Sequence, residues 1–320
     1  MGTPSLFDDH PINPRPAFAV ELGRRLSALA AREVYIGTSS WKYEGWLGQI
    51  YSAERYATRG RFSKQKFDST CLAEYAETFP IVCGDFSFYQ FPTVEYWSRL
   101  FTGSPRELKF GFKVPEMITV SQWPAHARYG ARGGQMNETY LDADVFDRAF
   151  ARALEPYRER VGVLIFEFGT MAQRLDEFTP QLENFLSRLP KGFRYAVEIR
   201  NRDFLDPLYF DTLRRHNVAH VFNAWARMPE LKTQMAIPEA YTADFTVSRA
   251  LLRHGRSYEQ AVKKFEPYKE IQEPNPAARE SLKELIRRAQ EMKQTTFVFV
   301  NNRLEGNAPS TIAAVTSDEP

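Results

Sequence analysis

Eight short runs rich in β-branched and aromatic residues recur along the chain, and helical spacing of apolar residues fills most of the stretches between them. The runs are Val34–Gly37, Ile81–Phe86, Leu108–Val114, Val161–Phe166, Phe193–Ile199, Val218–Phe222, Tyr241–Val247 and Thr296–Val300. The intervening pattern predicts helices over Ser63–Phe79, Val94–Phe101, Ala143–Tyr157, Leu175–Leu189, Pro207–His216 and Pro276–Met292, with a weaker one at Pro229–Met235. Strands that alternate with helices pair in parallel, because parallel neighbours need a crossover and right-handed crossovers are the ones that pack. Eight such units close a barrel, whereas six would indicate an open, doubly wound sheet. The expected fold is α/β, a (β/α)8 TIM-like barrel, and its length fits one domain over residues 33–312.

The spacing between runs places long loops after strands 1, 3 and 7: Trp41–Arg61, Pro115–Asp142 and Leu251–Asn275. In a barrel such loops gather at the end where active sites sit. Ahead of the barrel, residues 1–32 form an extension in which Phe18, Val20, Leu22, Leu26 and Leu29 mark one amphipathic helix, expected to plug the opposite end. Residues 313–320 read as a short tail.

Forty-two Lys and Arg against forty Asp and Glu leave a formal charge of +2, which is no footprint of a dedicated nucleic-acid or membrane binder. The two cysteines, Cys71 and Cys83, lack a disulfide-framework density and a CxxC spacing, so a reducing compartment is expected. The start, Met1 to Pro16, carries four prolines and no apolar run fit for a signal peptide, and no later segment reaches about eighteen consecutive apolar residues. A cytoplasmic protein is expected, which makes the sequon Asn137-Glu138-Thr139 a chance match.

The residues closing each run should converge on one mouth. They include Ser39 and Trp41, Asp85 and Tyr89, Lys113, Glu167, Glu198 and Arg200, Asn223 and Trp225, Arg249, and then Asn301, Asn302, Arg303 and Glu305. Glu198, Lys113, Glu167 and Asp85 are the candidates for acid/base chemistry; Ser39, Trp41, Tyr89, Arg128, Arg200, Asn223, Arg249, Asn301 and Asn302 are the candidates for binding substrate. The plainer alternative is a ladder of ion pairs within the barrel, with Glu198 held by Arg200 or Lys113. Glu167 lies between two phenylalanines: burial would raise its pKa toward general-acid use, a neighbouring Arg would lower it, and a helix-capping role is the structural alternative.

The loop from Gln122 to Gly134 mixes His126, Arg128, Arg132 and three glycines. It reads either as a lid over a phosphate or carboxylate or as a turn whose arginines cover apolar surface. No HExxH frame occurs among the five histidines and no cofactor is expected, although Asp85, Glu167 and Glu198 leave a carboxylate-bound Mg²⁺ or Mn²⁺ open. No dinucleotide, P-loop or nucleophile-elbow signature occurs, and Ser39–Ser40 reads first as a turn.

Tyr35-Ile-Gly-Thr-Ser-Ser-Trp41, followed by Trp46 and Tyr51, resembles the opening signature of the YecE-like family, the domain of unknown function 72. Phe86–Pro92, Phe110–Pro115, Ala196–Arg200 and Val300–Pro309 resemble later family blocks in the right order, although Cys83-Gly84-Asp85 stands where the family more often shows Glu and Asn. The resemblance implies a TIM-like barrel and supplies no reaction. Taken together, the residues favour an enzyme acting by acid/base chemistry on a small anionic or polyhydroxylated, including phosphorylated, ligand. The alternatives are a nucleic-acid binder using Arg128, Arg132, Arg253, Arg256, Lys263 and Lys264 with exposed aromatics, and a non-catalytic scaffold. The oligomeric state leaves no trace in the sequence.

Overall fold

The computed structural model describes residues 15–318, so the stretch before Arg15, on which part of the signal-peptide reading rests, lies outside the described residues. Eight strands form one closed ring: β1 (Val34–Thr38), β2 (Ile81–Gly84), β3 (Lys109–Lys113), β4 (Val161–Phe168), β5 (Tyr195–Ile199), β6 (Ala219–Ala224), β7 (Phe245–Ala250) and β8 (Thr295–Val300). Every strand pairs in parallel with its neighbours in chain order, and β8 returns to β1 with Val34 opposite Thr296 and Thr38 opposite Val300. The expected barrel is therefore the observed one.

The near-continuous apolar runs follow from burial on both faces. Inside the ring, Ile81, Cys83, Val163, Ile165, Ala196, Ala219, Val221, Phe245, Val247, Phe297 and Phe299 form a closed cluster. Outside it, Val82, Phe110, Phe112, Leu164, Phe166, Val197, Ile199, Phe222, Val298 and Val300 pack among the surrounding helices. Each such side chain removed from water contributes about 1.5–3 kcal/mol. Glycines make room in the interior: a Cβ at Gly111 would stand 2.6 Å from the Phe299 ring, so the small residue on β3 accommodates the large one on β8.

Several boundaries differ from the sequence expectation. The seventh strand begins at Phe245 rather than Tyr241, because the Tyr241 ring packs against Phe222 at 4.9 Å under the Arg288 guanidinium, and the Thr242 hydroxyl accepts the His220 N–H at 2.8 Å. The second strand stops at Gly84, and Asp85–Phe88 turns as a 3-10 helix. The helix expected over Ala143–Tyr157 is interrupted by a π turn at Asp147–Ala151 and ends at Leu154. A last helix, Ala308–Val315, crosses the boundary expected at 312, with Asn307 accepting the Ser310 N–H at 2.8 Å as its cap.

The first helix, Ala17–Ala30, does not plug the barrel. Its buried residues Leu22, Leu26 and Leu29 join the outer cluster, and Arg25 donates to the carbonyls of Ala313 at 3.2 Å and Thr316 at 3.1 Å. The amino end of the ring is closed instead by Tyr35 stacked on Phe297 at 5.6 Å, with Lys109 over Tyr35 and Arg194 over Phe297. Among the described residues no helix is long and apolar enough to cross a membrane.

Candidate active site

Period-two alternation decides what faces the barrel axis. On β4 the inward series runs Val163, Ile165, Glu167; on β7 it runs Phe245, Val247, Arg249, so apolar layers give way to ionic residues at the carboxyl ends. The register brings these ends level, with Glu167 opposite Glu198 and Asn223 opposite Arg249.

Six charged side chains meet there. Arg249 Nη1 donates to Glu167 Oε2 at 2.7 Å and to Glu198 Oε2, and its Nη2 reaches Asp85 Oδ1 at 3.2 Å. Arg200 Nη2 stands 3.1 Å from Glu167 Oε2 and, as an ion pair off the hydrogen-bond axis, 2.6 Å from Glu198 Oε1. Lys113 Nζ completes the set at 3.0 Å from Glu167 Oε2. Three cations and three carboxylates leave the network neutral. Glu198 is fully buried and Arg249 is 1% exposed, whereas the Glu167 and Asp85 side chains keep 15% and 32%, so the network opens to solvent on the Asp85 side.

Burial alone pushes the Glu167 carboxyl upward, but Lys113, Arg200 and Arg249 override it and hold it well below the usual carboxylate range. Glu167 is thus ionised near neutral pH and is no general acid. Burial likewise opposes the Arg249 charge, and Glu198, Asp85 and Glu167 keep the guanidinium well above its ordinary value. Aromatic faces shield two of the cations: the Phe88 ring lies 3.6 Å from Lys113 Nζ, and the Trp225 ring lies 3.8 Å from the Arg200 guanidinium carbon.

The model of the family described as protein of unknown function DUF72 matches residues 35–318 of this chain. The chain belongs to the DUF72 family. The UPF0759 protein YecE of Escherichia coli K12 is 24% identical over 172 residues, covering 53% of this chain and 50% of that protein. The chain thus matches about half the length of these curated relatives; a YecE from Escherichia coli O157:H7 matches to the same extent. A crystal structure of a DUF72 family protein from Thermotoga maritima MSB8 superposes with a TM-score of 0.61 at 18% identity, covering 89% of this chain and 98% of that one. Another from Enterococcus faecalis V583 gives 0.59 at 17% identity, covering 89% and 96%. At these identities the solved structures share the fold.

In the DUF72 barrel the remaining sequence-derived candidates divide by position. Ser39 is buried with its hydroxyl unpartnered; Asn223 is fully buried, with Nδ2 donating to the carbonyls of Ile199 at 3.2 Å and Val221 at 3.3 Å and with Oδ1 unpartnered. Asn301 accepts the Arg303 N–H at 3.0 Å. Trp41 is a wall, edge-on to Phe86 at 6.2 Å. Asn302 serves the last helix, its Oδ1 accepting the Ala308 N–H at 2.7 Å, and Glu305 is buried among Arg279, Asn275 and Thr311.

Tyr89 and Arg128 meet on the rim, the guanidinium carbon 4.5 Å from the exposed ring, while Arg128 also pairs with Glu116. The loop that carries Arg128 closes on itself: Trp123 donates to the Gln135 carbonyl at 2.9 Å, and Arg132 covers the Trp123 ring at 4.7 Å.

Among the described residues no group of three or more His, Cys, Asp or Glu side chains is arranged to hold a metal ion, and the three carboxylates that offered oxygen ligands each face a guanidinium. His216 and His220 stand four apart, a ligand spacing on a helix, but they straddle a helix end and a strand. His216 pairs with Glu183 at 2.6 Å and His220 with the Tyr209 hydroxyl at 3.2 Å.

Two mouth residues escaped the sequence reading. Phe88 lies beneath Lys113, and Tyr43 turns its phenol toward Ser40, within the fields of Arg303 and Asp85. Both sit in aromatic-rich stretches beside strand ends, which was the available signal.

Proposed function

We propose that this DUF72 protein is an enzyme that acts by acid/base chemistry on a small anionic or polyhydroxylated substrate at the carboxyl end of the barrel. The observation that carries this reading is the six-membered ionic network, buried at Glu198 and Arg249 and open at Asp85. Buried ion pairs are often no more stabilising than apolar residues of similar volume, so stability alone gives little reason for the network. Fixed charges aimed at a rim where a ligand can enter are the means by which active sites stabilise developing charge.

The roles follow from exposure and charge. Glu167, pinned in its ionised form by three cations, orients Lys113 and Arg200. Asp85 is the network's most open carboxylate and is placed to take a proton from a bound hydroxyl, while Arg249 Nη2 beside it steadies the charge that forms. Trp225 and Phe88 exclude water from the cations behind them.

Four of the six basic loop residues that could meet a nucleic acid are already paired with carboxylates. Arg253, Arg256 and Lys264 all pair with Glu273, and Arg128 pairs with Glu116.

A thermal-shift screen of sugar phosphates, nucleotides, carboxylates and divalent ions tests the proposal, since a ligand bound to the native state raises its melting point. A stabilising ligand should lose its effect in Glu198→Gln and Lys113→Ala proteins that remain folded. Unchanged binding and turnover in both variants would remove the assignment.

A further inference from the structure

The mouth network has no cation to spare. Lys113, Arg200 and Arg249 are matched by Asp85, Glu167 and Glu198, so an anionic group entering there has to displace a carboxylate from a buried guanidinium. Arg303, at the same end of the barrel, is different.

Arg303 sits in the 3-10 turn Asn302–Leu304 that follows β8, where Asn301 Oδ1 accepts its backbone N–H at 3.0 Å. Its guanidinium carbon lies 4.5 Å from the Tyr258 ring centroid, and its charge acts on the Tyr268 phenol. Its Nε is buried without a partner, and among the described residues no Asp or Glu forms an ion pair with it. A half-buried guanidinium with aromatic neighbours and no carboxylate is a site prepared for an external oxyanion.

Tyr43 ties this cation to the network. The Tyr43 ring stands 5.5 Å from Tyr268 and 4.8 Å from Trp46, and its phenol lies in the fields of both Arg303 and Asp85. Asp85 in turn is the 3.2 Å partner of Arg249. Burial, the largest influence on the phenol, pushes it up to about 12, so it stays a hydrogen-bond donor near neutral pH.

We propose that Arg303, with the hydroxyls of Tyr43 and Tyr268, holds the phosphate or carboxylate of a substrate whose uncharged, hydroxyl-bearing part reaches Asp85 and Glu167. This rests on the reading of the mouth as the catalytic site and assigns the anion to a half-buried arginine beside it that has no carboxylate partner among the described residues. The planar fork donates to two oxyanion oxygens at once, and the phenols supply donors for the others.

Calorimetric titration of the full chain with inorganic phosphate, glucose 6-phosphate, glucose and gluconate tests it. Arg303→Gln should weaken phosphate binding at least tenfold while the unliganded melting temperature stays at the wild-type value. Arg303→Lys, which keeps the charge and the stem but loses the fork, should weaken it several-fold, and it carries the test should the glutamine variant fail to fold. Binding of gluconate but not phosphate, with the same dependence on Arg303, identifies a carboxylate as the oxyanion.

Wild-type affinity in both variants, or no binding of either anion to the wild-type chain at millimolar concentration, overturns the assignment. Glu167→Gln separates the two claims. Loss of the extra affinity of glucose 6-phosphate over phosphate in that variant supports both. Arg303-dependent phosphate binding with no such extra affinity in the wild type keeps the anion site and removes the catalytic reading of the mouth.

Discussion

The two ends of the barrel interior solve the same packing problem with opposite chemistry. Toward the amino end, Phe245, Val247, Phe297 and Phe299 meet with no polar partner to satisfy. Two residues beyond Val247, Ile165 and Ala196 on their own strands, Arg249, Glu167 and Glu198 fill a comparable cross-section with charges that must all be paired. The apolar layers tolerate any well-shaped set of side chains of the right volume. The ionic layer tolerates loss of none of its members, because removing one leaves another buried and uncompensated. The lesson is that the first end gains stability from burial alone, whereas the second holds only as a complete set.

The largest expected effect comes from Arg249→Met, which strips Glu198 of its Nη1 donor, removes the guanidinium partner of Asp85 and leaves Glu167 to Lys113 and Arg200. Loss of about 3–5 kcal/mol is expected in urea unfolding. Val247→Ala, two residues earlier on β7, should cost roughly 1.5–2.5 kcal/mol. The contrast between the two ends fails if the valine change proves the more damaging.

His220 sharpens the same comparison with a polar group in apolar surroundings, packed among Tyr209, Phe210 and Phe222. Burial lowers its pKa to about 3 from an ordinary 6.5, so the folded chain keeps it neutral while the unfolded chain takes up a proton. Because the unfolded state binds the extra proton, stability falls as pH drops from about 6.5 to about 3 and does not fall further on this account below that. This group alone removes on the order of 5 kcal/mol across the window. His220→Phe leaves the Tyr209 hydroxyl its Val197 carbonyl at 3.3 Å and should flatten that limb of the stability profile. An unaltered acid limb would show that His220 is not the group responsible.

Gly111→Ala probes the tightness of the apolar end. Its new methyl meets the Phe299 ring, and overpacking of about 1–3 kcal/mol should appear as a lower urea midpoint with ligand binding unchanged. The smallest effect is expected on the rim, where Arg128→Ala breaks a partly exposed pair with Glu116 and costs at most about 1 kcal/mol. A tenfold loss of ligand affinity in that variant, with stability intact, would enrol the loop in binding.

Much of this molecule was legible in its residues. The β-branched runs gave the number of strands and their parallel sense, and the residues closing those runs named five of the six network members directly: Lys113, Glu167, Glu198, Arg200 and Arg249. Asp85 was named as well, although it lies beyond the end of β2 in a turn that an apolar run could not delimit. The displaced start of β7 has a similar cause: Tyr241 is buried, but on the outer face against Phe222, and hydrophobicity cannot tell an inner face from an outer one. The role expected of the first helix failed because amphipathicity says that a face is covered and not by what.

The sequence by itself determined a ring of eight parallel strands with polar residues at their carboxyl ends, since strand period and burial on both faces are local properties of each run. Only the tertiary structure decided that Arg249 joins Glu167 and Glu198, that Glu167 is held ionised, and that no carboxylate among the described residues pairs with Arg303. Those pairings join side chains 82 and 51 positions apart, and they depend on register and side-chain direction around a closed ring, which no stretch of sequence contains on its own.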